Sequence, residues 1–266
     1  MRNVITRPKT LFASHYLDVR VIGSDEAIAT QLRESGLVTV DGLTSRKAIL
    51  AFASRLMAIT PHPHSAPDGL TTILDTGVHA HRAGFAGLGS GELDAHTERA
   101  GVPAPPRLML LACLRTATEG GDVLLADGRD ILAGLSSHDR EAAVMLAKPR
   151  TAYFGAGAGH ASRVFTIHAD NRVSIRLRQD GLARWSPIAQ PYLPALRREI
   201  ADCQHRLPLL PGQGYVVDNH RWLHARTRFW GDRLCWRALG QPRFSMARGF
   251  VPAPETVPPP ARSEAG

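Results

Sequence analysis

Residues 214–239 read Gly-Tyr-Val-Val-Asp-Asn-His-Arg-Trp-Leu-His-Ala-Arg-Thr-Arg-Phe-Trp-Gly-Asp-Arg-Leu-Cys-Trp-Arg-Ala-Leu. Two apolar, β-prone runs, 215–217 and 234–239, enclose a polar middle that holds His220, His224 and several arginines. A strand, a turn and a second strand would carry that middle to one end of a sheet. Far upstream, Leu93-Asp94-Ala95-His96-Thr97-Glu98 spaces an imidazole and a carboxylate two residues apart. Alternate residues of a strand share a face, so His96 and Glu98 can grip one ion together. His224 completes a set of two imidazoles and one carboxylate, which leaves coordination positions open on one side of a non-haem Fe(II). Arg233, nine residues after His224, is placed to anchor a carboxylate through its bidentate fork.

Two other histidine pairs compete for attention. His62 and His64 sit in Thr-Pro-His-Pro-His-Ser-Ala-Pro-Asp-Gly (60–69), where the prolines remove donors and fix φ, so this stretch is a loop. His79 and His81 form a second His-x-His pair; with His96 they would make a cupin-like metal site, the rival to His96 and Glu98. Neither pair has a third ligand close by in sequence, and both read as loop histidines.

At 266 residues the chain is long enough for one large domain with a real core, expected over 1–251. The remainder, 252–266, is rich in Pro, Glu, Ser and Ala and reads as a disordered tail. The net charge of +8 comes almost wholly from arginine, the lysines being only Lys9, Lys47 and Lys148. That bias goes with abundant Ala, Gly and Pro, as GC-rich codons would give; a basic surface for an anionic substrate or carrier protein is the functional alternative. The arginines are scattered and no nucleic-acid-binding signature accompanies them, which argues against a nucleic-acid partner. Cys113, Cys203 and Cys235 are odd in number and far apart, which speaks against a disulfide framework or structural zinc. No apolar run approaches the roughly 20 residues of a membrane span and the first 13 residues are polar, so a cytoplasmic protein is expected.

Along the chain, 24–35 and 45–57 carry helical periodicity, with 37–40 a strand between them. Residues 107–116 and 122–126 read as strands joined by a turn at 119–121. Residues 130–135 and 138–147 read as helices, Ser136 and Ser137 being candidate caps for the second. Short strands follow at 151–154, 163–168 and 172–178, then a helix over 191–204. Gly155-Ala-Gly-Ala-Gly159 follows a strand, but no helix comes after it to present an N-terminus to phosphate, so it is a flexible loop and not a dinucleotide fingerprint. Many short strands with a few helices and no strand–helix alternation favour an antiparallel jelly roll over a parallel sheet.

Taken together, His96-x-Glu98, Asp218-Asn219-His220-Arg221-x-Leu223-His224-x-Arg226 and Asp232-Arg233-x-x-x-Arg237 resemble the 2-oxoglutarate-dependent dioxygenases of the taurine dioxygenase and clavaminate synthase type, over 89–239. The resemblance implies a mainly β fold with flanking helices, the double-stranded β-helix. It implies Fe(II), 2-oxoglutarate and O2 as cofactor and cosubstrates, with His96, Glu98 and His224 as iron ligands. Arg233 would pair with the distal carboxylate of 2-oxoglutarate, and Arg237 would bind substrate. Arg176 and Arg178, within Ser-Ile-Arg-Leu-Arg-Gln-Asp (174–180), would lie beside the substrate pocket. Because halogenating relatives lack the carboxylate, Glu98 implies hydroxylation, desaturation or ring formation. The implied substrate is a small amino-acid-like molecule of specialised metabolism, antibiotic biosynthesis included. One departure stands out: relatives often carry a threonine where this chain has Val123, and valine has no hydroxyl to offer the cosubstrate. Asn219 and His220, just before the distal histidine, read as residues that orient it. The competing readings are a cupin-like metal isomerase or hydrolase, which would not need Arg233, and a non-catalytic jelly-roll binding protein.

Overall fold

A computed structural model of the chain describes residues 10–77 and 84–254. Its frame is two antiparallel sheets packed face to face, each covered on its outer side by helices. The larger sheet runs in the order Leu37–Val40, Gly214–Asp218, Leu108–Arg115, Leu234–Pro242, Met57–Ile59, with Thr71–Ile73 also paired to Leu234–Pro242. The smaller runs Gln204–Leu207, Val123–Asp127, Trp222–Arg226, Leu93–His96. This is the jelly-roll architecture with flanking helices that the sequence predicts.

Strand alternation explains the layers. In Leu108–Arg115, Met109, Leu111 and Cys113 join the core between the sheets, while Leu108, Leu110 and Ala112 face the helices. Those helices are Ser24–Glu34 and Arg46–Leu56, the latter capped by Ser45, whose hydroxyl accepts from Ala48 N. Behind the smaller sheet, Gly128–His138, Arg140–Ala147 and Leu193–Asp202 bury Ile131, Leu135, Leu146, Leu196 and Ile200 against Leu223 and Ala225. Each fully buried Leu or Ile contributes roughly 1.5–3 kcal/mol.

Several local expectations change. The polar middle of 214–239 is not a turn: residues 222–226 form a strand of the opposite sheet, all five of them buried. The chain crosses between the sheets at 219–221 and returns through 227–233. Polar character misled because His224 and Arg226 face the cavity between the sheets, where they meet other polar groups, and Trp222 joins the apolar core there, while Leu223 and Ala225 face the helices. The cap of Arg140–Ala147 is Asp139, whose carboxylate accepts from Ala142 N at 2.9 Å; Ser136 and Ser137 lie inside the preceding helix. Residues 155–159 form the turn of a hairpin between Ala152–Phe154 and His160–Ser162, where the Tyr153 hydroxyl donates to the Gly157 carbonyl. Glu119–Gly120 pairs with Phe229–Trp230, and φ of +70° at Gly120, with the Arg228 carbonyl 2.1 Å from where a Cβ would sit, requires glycine there. All three cysteines are free. Residues 255–266 of the expected tail, and the His79/His81 pair, lie outside the described residues.

Candidate active site

The smaller sheet brings the ligand candidates together. Trp222–Arg226 lies beside Leu93–His96 with His224 directly opposite His96, their ring centroids 4.1 Å apart. Glu98 lies two residues on, just past the strand end, and its Oε2 is 3.6 Å from His224 Nε2. One ligand atom from each of His96, Glu98 and His224 lies within 4.8 Å of the other two. His96 Nδ1 bonds the Asp94 carbonyl at 2.8 Å; as the donor there, it leaves the Nε2 lone pair for a metal. Burial, then the neighbouring His224, pushes His96 down to about 3, so it is a neutral ligand at ordinary pH. At Glu98 burial opposes the charge, but Arg237 and then His224 outweigh it and hold the carboxyl below the usual range. Two imidazole donors and one carboxylate, converging in a buried pocket, suit a divalent iron centre with open positions.

The triad opens into a cavity of about 460 Å³ between the sheets. Met109, Leu111 and Val123 give it an apolar floor, and Arg226, Arg233 and Arg237 a cationic wall. Arg233 is 6% exposed and donates Nε to the Gly121 carbonyl at 3.1 Å. A Cβ on Gly121 would come within 2.8 Å of the Arg233 Cδ, so this glycine makes room for the guanidinium. Arg226, directly across the strand pair from Val123, gives its Nη groups to the carbonyls of Gly87, Gly89 and Gly91. Burial, and then the Arg233 charge, push Arg226 down to about 10. Neither arginine has a carboxylate within ion-pair distance among the described residues. Two adjacent buried cations without a protein anion fit a bound anionic cosubstrate.

The other sequence candidates divide. Arg237 reaches the cavity, but its Nη1 donates to Glu98 Oε2, the oxygen facing His224. Arg178 lines the cavity in a bidentate pair with Asp180, at 2.5 and 2.7 Å. Arg176 points elsewhere: its Nη groups bond the carbonyls of Val102 and Pro103, and it is not among the lining residues. His62 and His64, read as plain loop histidines, line the cavity, with His64 stacked on Phe85 at 4.6 Å. Burial, then the Arg237 charge, pushes His62 down to about 4. Their proline-rich surroundings showed a loop but not which way it folds.

Residues 14–239 match the model of the taurine catabolism dioxygenase TauD, TfdA family, and the chain belongs to that family. It is therefore an Fe(II)- and 2-oxoglutarate-dependent dioxygenase. Among solved structures, the chain is similar to an asparagine oxygenase in complex with Fe(II), 2S,3S-3-hydroxyasparagine and succinate, at 20% identity over 81% of this chain and 78% of that one, TM-score 0.67. It is also similar to the non-haem iron oxygenase OrfP in complex with Fe, succinate and (3S)-hydroxy-L-Arg, at 16% identity over 84% and 82%, TM-score 0.67. At such identities these likenesses establish a shared fold. Among the described residues, no helix is long and apolar enough to cross a membrane.

Proposed function

We propose that His96, Glu98 and His224 hold the iron, that Arg233 anchors the distal carboxylate of 2-oxoglutarate, and that the cavity takes a free amino acid or a close derivative for hydroxylation. The observation that carries this reading is the convergence of the three ligand atoms at the foot of a cavity walled by Arg233. With iron bound, the chemistry supplied is the coupled conversion of substrate, 2-oxoglutarate and O2 into hydroxylated substrate, succinate and CO2. The chain's own groups orient and shield. Met109, Leu111 and Val123 would shield a bound cosubstrate from water, and neutral His62 adds no charge to a wall that already has three arginines. The Arg178–Asp180 pair offers a cation and an anion side by side, the complement of an amino acid's carboxylate and ammonium groups. The asparagine oxygenase and OrfP complexes, with hydroxyasparagine and hydroxyarginine, support that substrate class. Free thiols fit a cytoplasmic setting, and an amino-acid hydroxylase fits specialised metabolism.

The test is an anaerobic titration of metal-free protein with Fe(II) and then 2-oxoglutarate, read by the visible metal-to-ligand charge-transfer band. The band is expected in wild type and absent in His224→Ala and Glu98→Ala. A normal band in both variants would overturn the ligand assignment. Screening of amino acids by succinate release then identifies the substrate; turnover confined to substrates of another chemistry would remove the amino-acid reading.

A further inference from the structure

Glu98 is the one ligand candidate that no strand holds. The ladder between Leu93–His96 and Trp222–Arg226 runs only from Leu93 to His96, and Glu98 lies beyond it, followed by Arg99 at φ +58°. A ligand on a free turn would be poorly aimed, yet the Glu98 peptide is tied on both sides by one side chain. Asn219 Oδ1 accepts from Glu98 N at 2.6 Å, and Asn219 Nδ2 donates to the Glu98 carbonyl at 3.0 Å. Thr97, between His96 and Glu98, is held by Leu177, through its N to the Leu177 carbonyl at 2.9 Å. At Glu98, two residues past the end of the ladder, the Asn219 amide does what a neighbouring strand's backbone would do.

Asn219 is itself firmly held. It is 1% exposed, its backbone N donates to the Arg107 carbonyl at 2.8 Å, and its Nδ2 also donates to the Pro106 carbonyl at 2.9 Å. The preceding residue, Asp218, is clamped by the Arg107 guanidinium at 2.6 and 2.7 Å. No such bond runs from Asn219 to His224, so its neighbourhood to the distal histidine in sequence is incidental. Resting on the reading that Glu98 is an iron ligand, we infer that Asn219 is the positioning residue of that ligand: it fixes the Glu98 backbone so that the carboxylate meets His96 and His224.

The chemistry of the amide makes the inference testable. Asn219→Asp keeps nearly the same shape and the acceptor toward Glu98 N, but turns an acceptor toward the carbonyls of Glu98 and Pro106, which then repel it. Removing a group that orients a metal ligand typically weakens metal binding about 10- to 100-fold. The experiment is a double-mutant cycle on Co(II) affinity and on the Co(II) ligand-field spectrum, measured on metal-free full-length protein with Asn219→Asp, Glu98→Ala and the pair. The expected result is that Asn219→Asp weakens Co(II) at least ~10-fold and shifts the spectrum toward that of Glu98→Ala. In the Glu98→Ala background it should have no further effect. Equal weakening in both backgrounds means a general structural role, and unchanged affinity with Glu98 present means no role; either overturns the inference while leaving the iron site standing. Wild type that binds no Co(II) would remove the iron-site reading and this inference with it. Asn219→Ala, which removes the amide's donor and acceptor without adding charge, serves the same cycle if the aspartate variant does not fold.

Discussion

Arg233 is where a single side chain decides most. Its guanidinium is buried, donates to the Gly121 carbonyl, and has no carboxylate within ion-pair distance among the described residues. Arg233→Met should weaken 2-oxoglutarate by about 2–5 kcal/mol, the usual loss for one partner of a buried charged pair, or roughly 30-fold and upward. Fe(II) binding measured before cosubstrate is added should stay unchanged; a matching loss of Fe(II) would show that Arg233 supports the metal ligands instead. Val123→Thr probes the same corner. It places a hydroxyl opposite Arg226, and one added hydrogen bond is worth about 0.5–1.5 kcal/mol, so 2-oxoglutarate should bind a few-fold tighter by the same titration. Weaker binding would mean that Val123 contributes only apolar shielding. That His96, Glu98, His224 and Arg233 come together at one cavity was legible in the sequence because their chemistry is scarce and their local spacing constrained. The partner of Asn219 was not, since 121 positions separate it from Glu98 and only the fold joins them.

Among the elements, Leu108–Arg115 declared itself by apolar residues on both faces, as a strand buried on two sides must. Trp222–Arg226 did not, because two of its five residues, His224 and Arg226, reach polar neighbours between the sheets. What holds that strand is legible only in three dimensions. The Asp127 carboxylate bonds Arg221 Nε at 3.0 and 3.1 Å and Nη2 at 2.7 Å, and accepts from Arg129 N at 3.0 Å, the first turn of Gly128–His138. One carboxylate therefore caps a helix and fixes the residue that starts the His224 strand. Asp127→Ala leaves the Arg221 charge buried without its partner, for a loss of about 3–5 kcal/mol. Urea denaturation should show the loss as a lowered midpoint with an unchanged slope. A midpoint within error of wild type would mean that the Glu34 carbonyl, which accepts from Arg221 Nη1 at 2.7 Å, suffices alone.

For the whole molecule, the buried histidines set a pH limit. Burial pushes both His220 and His62 down to about 4, well under the ordinary 6.5. An unfolded chain takes up these protons below 6.5 while the folded one refuses them until near 4. Stability from these groups is therefore complete above pH 6.5 and lost progressively as pH falls toward 4. Urea midpoints at a series of pH values should be flat from 7 to 8 and decline through that window, and His220→Gln should make the decline shallower. An unchanged decline in that variant would place the effect elsewhere. The layered jelly roll was legible from the spacing of short strands. That the His62 loop lines the cavity beside His96, Glu98 and His224 was not, because irregular backbone follows contacts that local sequence does not record.

The two faces of the sandwich divide the labour: His96 and His224 stand on the smaller sheet, Arg233 and Arg237 at the start of the Leu234–Pro242 strand of the larger. A dicarboxylate held at both faces would be a strut of fixed length, and the gap between the sheets would measure it as a ruler measures a span. Diacids one carbon shorter or longer should fail by geometry even where their charges match. Insertions in 227–233, the stretch that links the two faces, should change which chain length fits before they disturb iron at all.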